Sequence, residues 1–367
     1  MSWKSSQSAT LGTDRQLNHD KIEPDQPISN VVYSLEIIEM RPFTFETNHM
    51  QNPRSSLARS AQITDVIKLR AAWMAKVRQY FDGLGFLEVQ TPILCRDTVV
   101  DRYIDPLTVQ VDVQGQGNEQ FYMQTSPEFC MKRLLVHGAQ AIYALTPVFR
   151  AGETGAKHNI EFTMLEWYRV GDNYQAGMDL VDDFAQKMLQ RPPATRLSYR
   201  ETFIRFAGVD PFHVPHELRQ DQVAWDEVLN QLMADKIEPA LQSLSTVILY
   251  DWPANQAALA RTRMVNESNH TYEVAERFEL YVDGVELANG YHELTDPNEL
   301  VRRNQANNQL RALSGRALLP VNSRLLEAMR LGLPPCSGTA LGFERLLMVA
   351  TGCDRISQVT LFSPDDV

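Results

Sequence analysis

Three short stretches hold the residues whose types and spacing suit chemistry. In FRAGETGAKHNIEFTMLEWYR (149–169), Arg150, His158, Asn159 and Phe162 surround a polar loop containing Gly152 and Gly155. An arginine at a strand end can grip a phosphate bidentately and cannot lose its charge. A nearby aromatic ring can stack on a purine while a guanidinium covers the other face. In GVELANGYHELTD (284–296), Glu286, Asn289 and Glu293 recur along one strand-like run. Two carboxylates beside a nucleotide suit Mg²⁺, which binds through a few carboxylates plus substrate phosphates. In CSGTALGFERLLMVATG (336–352), Gly338, Gly342, Glu344 and Arg345 sit at a strand-to-helix transition. Glycines there let backbone approach a ligand, and a helix start offers free N–H groups to anions. Each residue also has an ordinary reading: Arg150 as a surface ion-pair member, Phe162 as core, the two glutamates as a solvated hairpin edge.

The elements that must position these residues are legible around them. AIYALTPVF (141–149) and FTMLEWYR (162–169) are rich in β-branched and aromatic residues and predict a hairpin with a long polar tip. RFELYVDGVELANGYHEL (277–294) predicts a second hairpin turning at Asp283–Gly284. On a regular strand residues 286 and 293 face opposite sides; a bulge at Asn289–Gly290 would bring both carboxylates to one site. Val66, Leu69, Trp73, Val77 and Tyr80 form one apolar helical face over 64–84, ended by Gly83 and Gly85. FLEVQTP (86–92) alternates like a strand, SPEFCMKRLLVHG (126–138) and residues 174–190 read as helices, and STVILYDWP (245–253) reads as a strand. A polar helix covers 297–314. The stretch 191–245 reads as helical and offers no chemistry. Helices mixed with antiparallel hairpins point to an α+β fold.

Composition narrows the function classes. The charge of −11 and the absence of any Lys/Arg block argue against extensive nucleic-acid contact. No apolar run approaches the length of a membrane span, and the N-terminus lacks a secretory pattern. Cys95, Cys130, Cys336 and Cys353 form no C-x-x-C pair, which argues against a zinc site and fits a reduced, cytoplasmic protein. There is no G-x-x-x-x-G-K-[ST] and no G-x-G-x-x-G after a strand, so a nucleotide would need another architecture. Residues 1–60 are polar and broken by prolines; they read as a flexible extension, with VVYSLEIIEM (31–40) as one candidate strand, before a catalytic domain over 61–367.

Taken together, the helix with FLEVQTP, then FRAGETGAKHNIEFTMLEWYR, then CSGTALGFERLLM resemble the three ordered motifs of class II aminoacyl-tRNA synthetases. The resemblance covers roughly residues 64–362, and TSPEFCMKRLL, HNIEFTMLEWY and ELANGYHELTD resemble the lysyl type. That fold is an antiparallel sheet flanked by helices. A lysyl-tRNA synthetase carries an anticodon-binding barrel before its catalytic core, and residues 1–60 hold too few strand signals for one. The chain is therefore most similar to the truncated lysyl-tRNA synthetase paralogues that attach (R)-β-lysine to translation elongation factor P.

By this resemblance the cofactors are ATP and Mg²⁺. Arg150 would hold the α-phosphate, Phe162 would stack on adenine with Arg345 on its far side, and these two arginines would be the catalytic groups. Ala151, Gly152, Glu153, Asn159, Leu287 and Gly342 would complete the nucleotide site, and Glu286 and Glu293 would hold Mg²⁺. Ser126, Pro127, Glu128, Glu166, Tyr168, Asn289, Glu293 and Ala340 would receive the amino acid. Two positions depart from the lysyl pattern. Arg150–Ala151–Gly152 stands where Arg-Asn-Glu is usual, with Glu153 as the replacement acid, and Ala340 stands where glycine is common. The resemblance further implies elongation factor P as acceptor rather than tRNA, a homodimer formed through the first motif, and no membrane. Other acceptors, and an inactive binding subunit, are the competing readings.

Overall fold

The computed structural model describes residues 56–363, apart from 116, 219–220 and 268–269. The strand expected at 31–40 lies outside the described residues. Helix α1 (Ser56–Gly83) starts earlier than the apolar face alone predicts and stops before Gly85, whose φ of 77° a side chain would resist. Within FLEVQTP only β1 (Leu87–Glu88) forms, because the run sits at a sheet edge with Leu87 largely exposed. A small sheet follows, β2 (Leu94–Cys95), β3 (Thr108–Val113) and β4 (Gly117–Met123), in the order β2-β4-β3. Its one available signal was the alternation of TVQVDV.

Next come α2 (Glu128–Val136), the hairpin β5 (Ala141–Phe149) and β6 (Glu161–Val170), and α3 (Tyr174–Leu189), capped by Asn173. The 191–245 stretch gives β7 (Thr195–Ser198), α4 (Tyr199–Ala207), α5 (Gln222–Leu232) and α6 (Glu238–Leu241). The chain continues through β8 (Thr246–Pro253), β9 (Thr262–Glu267), β10 (His270–Val282) and β11 (Val285–His292). It closes with α7 (Pro297–Leu313), α8 (Arg324–Gly332), β12 (Cys336–Gly342) and α9 (Phe343–Thr351).

The large sheet runs β1-β5-β6-β12-β11-β10-β8-β7, with β9 added to β10. Its pairs are antiparallel except β1–β5 and β7–β8 at the two edges. This is the α+β arrangement the sequence predicts. One face packs on α1, α3 and α9 through Val77, Phe81, Trp167, Phe184, Leu341 and Phe343. Phe81 is fully buried, stacked on Tyr143 and tilted against Trp167; truncating such a ring costs about 3–5 kcal/mol. On the other face two smaller cores flank an open centre. One lies under α4 and α5 (Tyr199, Phe203, Trp225, Trp252) and one between α2 and α8 (Phe129, Leu135, Leu326, Met329).

The second hairpin turns as predicted, with Asp283 at φ 51° and Gly284 at φ 76°, the pair of left-handed residues a two-residue hairpin loop requires. The bulge is real but displaced. Tyr281 pairs with Glu286 and Leu280 with Ala288, so Leu287 is the extra residue. Gly290 pairs regularly with Phe278, and it is glycine because a Cβ there would lie 2.2 Å from the Phe278 ring. The extra residue at 287 reverses the alternation once, so Glu286 returns to the face shared by Asn289, Tyr291 and Glu293.

Candidate active site

Alternation along three neighbouring strands builds one cavity on the open centre of the sheet. Strand β6 contributes Phe162, Met164, Glu166 and Tyr168, while Leu165 and Trp167 turn to the opposite core. Strand β12 contributes Gly338, Ala340 and Gly342, and β11 contributes Glu286, Leu287, Asn289 and Tyr291, with Glu293 just past its end. Ser126 and Glu128 enter from the start of α2, and Arg150, Glu153 and Asn159 from the β5–β6 loop. Three expected residues do not line the cavity. Pro127 is the buried N-cap of α2, Ala151 donates its N–H to the Asp105 carbonyl, and Gly152 makes the loop turn at φ 79°. They shape the site from behind.

One end of the cavity is cationic and open. The Arg150 guanidinium lies 5.2 Å from the Phe162 ring centroid and 3.8 Å from Glu153. Arg345, in the first turn of α9, donates to the Glu286 carbonyl and carboxylate at 3.0 and 3.3 Å and meets His158 Nε2 at 2.6 Å. Burial, then the neighbouring Arg345 charge, pushes the His158 imidazole below its ordinary pKa. The neutral ring then accepts a hydrogen bond from the Arg345 N–H. Glu344 is engaged elsewhere, receiving the Thr163 N–H at 2.9 Å and pairing with Arg70 of α1 at 2.9 Å. The loop tip is tied down by Ile356, which donates to the Ala156 carbonyl.

The other end is anionic and dry. Glu166 is 1% exposed and accepts from Ser126 at 2.7 Å and Tyr168 at 2.6 Å. Burial and the nearby Glu128 charge push its carboxyl up to about 7. Glu293, also 1% exposed, contacts Lys132 Nζ at 2.5 Å, and the same Nζ contacts Glu128 at 2.5 Å. Burial pushes Glu293 up to about 8 against the opposing pull of Lys132. For Lys132 burial opposes the charge, but Glu128 and Glu293 outweigh it and hold the ammonium protonated. Close approach here depends on Gly338. A Cβ at that position would lie 2.2 Å from the Tyr168 ring and 2.4 Å from Glu293 Oε1.

This arrangement corrects the expected metal pair. Glu286 and Glu293 share a face but lie seven residues apart along the chain; with Leu287 bulged out, the six regular steps span roughly 20 Å at about 3.3 Å per residue. Glu293 is moreover engaged by Lys132. The two cannot hold one Mg²⁺ between them. Among the described residues no set of three His, Cys, Asp or Glu side chains is placed to hold a metal, and Mg²⁺ shared with phosphates does not need one. Glu286 fits such a role. Two further carboxyls feel the Glu286 charge: Glu279 of β10, pushed up to about 7 by burial against the pull of Arg277, and Glu238, raised by burial and then by Glu286.

Several lining residues carried no sequence signal: Val99, Asp101, Ile104, Ala258 and Leu259 come from loops. Lys132 was detectable, because its i,i+4 spacing from Glu128 on α2 predicts a contact. The family model of class II tRNA synthetases (D, K and N) matches residues 46–366, which include every strand, helix and side chain that builds this cavity. Such enzymes activate an amino acid with ATP and use Mg²⁺, and the two ends of the cavity have the opposite charges that those two substrates need. The chain therefore belongs to the class II tRNA synthetases of the D, K and N group.

Proposed function

We propose that the chain activates (R)-β-lysine as an adenylate and transfers it to a lysine ε-amino group of translation elongation factor P. The observation that carries this reading is the anionic end of the cavity. Glu128, Glu166 and Glu293 converge there, and a desolvated diamino acid needs a carboxylate for each ammonium group. The lysyl-type segments quoted above support the same substrate class.

The chemistry follows from the two ends. The substrate carboxylate attacks the α-phosphorus of ATP, the bond to the bridging oxygen breaks, and pyrophosphate leaves. Arg150 would meet the α-phosphate, and Arg345, released from Glu286 and His158, would meet the γ-phosphate. Phe162 would carry adenine, and Glu153 stands beside Arg150 where it can meet the adenine edge. Glu286 would hold Mg²⁺ together with phosphate oxygens, and the ion would supply further charge neutralisation. In the second step a neutral amine attacks the acyl carbon and AMP departs. No enzyme nucleophile is required.

Ala340 supports the β-amino preference. It pairs with Glu166 on β6 and Asn289 on β11, so its methyl stands between two residues of the amino-acid end. A methyl there crowds an α-amino group and leaves room for one on the next carbon. Assembly as a homodimer fits α1 and β1, where Ile67 is 50% and Leu87 67% exposed.

The test is ATP–pyrophosphate exchange with (R)-β-lysine, L-α-lysine and no amino acid, for wild type and Ala340→Gly. Exchange favouring β-lysine, shifted toward α-lysine by the glycine, is the expected result; elongation factor P is then tested as acceptor. Preference for α-lysine in wild type would favour a tRNA or other acceptor. No exchange with either would leave a binding subunit.

A further inference from the structure

Lys132 has no part in the scheme above, yet it is the most enclosed cation at the amino-acid end. Its residue is 1% exposed, and its Nζ lies 2.5 Å from Glu128 on its own helix and 2.5 Å from Glu293 beyond β11. The Tyr168 ring of β6 stands 5.9 Å away. The remaining titratable groups around this end are Glu166 of β6, Tyr291 of β11, Cys336 of β12 and the half-buried Asp101. Burial keeps the Tyr168 and Tyr291 hydroxyls and the Cys336 thiol uncharged. The buried groups that bear charge are therefore three carboxyls and one ammonium, and a diammonium ligand draws the two carboxyls that Lys132 leaves uncancelled into the ionised form. Arg150 and Arg345 do not enter the count, being paired with Glu153 and Glu286 at the other end.

We propose that Lys132 is the fixed counter-ion of this pocket: it cancels one of three buried carboxylates, so the pocket is complete only with a ligand bearing two ammonium groups. The inference rests on the amino-acid end binding the amino acid, and it adds what sets the number of charges that end accepts. A ligand with one ammonium leaves one of these buried carboxyls without a counter-charge, which is costly once it ionises. Lys132 itself cannot leave to make room, because the residue is 1% exposed and both its contacts are buried. Lys132 is thus a positioning residue that acts through Glu128 and Glu293.

The test reads binding, not turnover. Calorimetric titration of wild-type protein with L-lysine, L-norleucine, 1,5-diaminopentane and pentylamine compares two ammonium groups with one, with and without a carboxylate. Each diammonium ligand is expected to bind at least tenfold tighter than its monoammonium partner. Equal affinity within each pair would overturn the inference, and this comparison needs no variant.

In Lys132→Ala, Glu128 and Glu293 lose the cation that holds both in place. L-lysine affinity is expected to fall at least tenfold while ATP affinity stays within twofold. Propylammonium, which matches the missing stem and charge, is expected to restore it, and tetramethylammonium at equal concentration is not. Unchanged L-lysine affinity, parallel loss of ATP affinity, or equal rescue by both salts would each overturn the role given to Lys132. Charge-selective binding without pyrophosphate exchange would sink the proposed function and leave this inference standing. Exchange favouring (R)-β-lysine together with unchanged L-lysine affinity in Lys132→Ala would do the reverse.

Discussion

The two ends of the cavity differ in how each meets its charge. At the nucleotide end, Arg150 and Arg345 hold provisional partners: a 3.8 Å pairing with Glu153, and contacts with Glu286 and a neutral His158. These groups are part-exposed, so exchanging their partners for phosphates costs little desolvation. At the amino-acid end, Glu128, Glu166 and Glu293 are buried and already hydrogen-bonded or ion-paired. There the desolvation was met on folding, and selectivity is built into the count of charges. An open site suits a ligand that brings its own dense charge, whereas a dry one suits a ligand chosen by fit.

The comparison breaks most sharply at Gly338. Gly338→Ala places a methyl against Tyr168 and Glu293, and overpacking of about 1–3 kcal/mol is expected to weaken amino-acid binding roughly 10- to 100-fold. Calorimetry should show ATP affinity unchanged within about twofold. If both ligands weaken alike, the two ends are not separable. The reciprocal change, Arg345→Ala, removes a charged donor worth about 1.5–3 kcal/mol. It is expected to raise the ATP KM by roughly tenfold or more and leave that for the amino acid in place.

A pH series sharpens the contrast further. Glu166 at about 7 and Glu293 at about 8 are partly protonated near neutrality. Amino-acid affinity should therefore rise from pH 6 to 8.5, by at most about tenfold per unit for each proton displaced. ATP affinity should not follow it. A flat profile for the amino acid would show that these carboxylates bind ammonium already ionised. Stability runs the other way. Both native carboxyls hold protons that the unfolded chain releases at ordinary carboxylate pH, so their contribution is full below that range and is lost as pH climbs to about 8. The smallest expected effect is Phe162→Leu. Losing a stacking surface of about 0.5–1.5 kcal/mol should raise the ATP KM about threefold to tenfold, read in the exchange assay.

Much of the site was legible because alternation is local. The runs on either side of the 150–160 loop form β5 and β6 as predicted, which puts Phe162, Glu166 and Tyr168 on one face. What failed was whatever depended on partners distant in the chain. FLEVQTP has strand composition, but only Leu87 and Glu88 pair in register with β5, extended by the Val89 N–H to the Tyr143 carbonyl. The β2-β4-β3 sheet and β7 escaped notice because their strands are short or exposed on one face. The Mg²⁺ pair failed for a related reason: placing two glutamates on one face says nothing of how far apart along the strand they lie.

The sequence by itself determined the local geometry: the left-handed Asp283–Gly284 turn, the Asn173 and Pro127 helix starts, and the facing of each strand residue up to the first irregularity. These follow from backbone sterics and side-chain period, which act over a few residues. Only the tertiary structure decided that the bulge falls at Leu287, that Gly338 is empty so that Tyr168 and Glu293 can meet, and that Lys132 stands between Glu128 and Glu293. Those are matters of burial and charge pairing. Both depend on which distant segment fills the space opposite, and no local pattern encodes that.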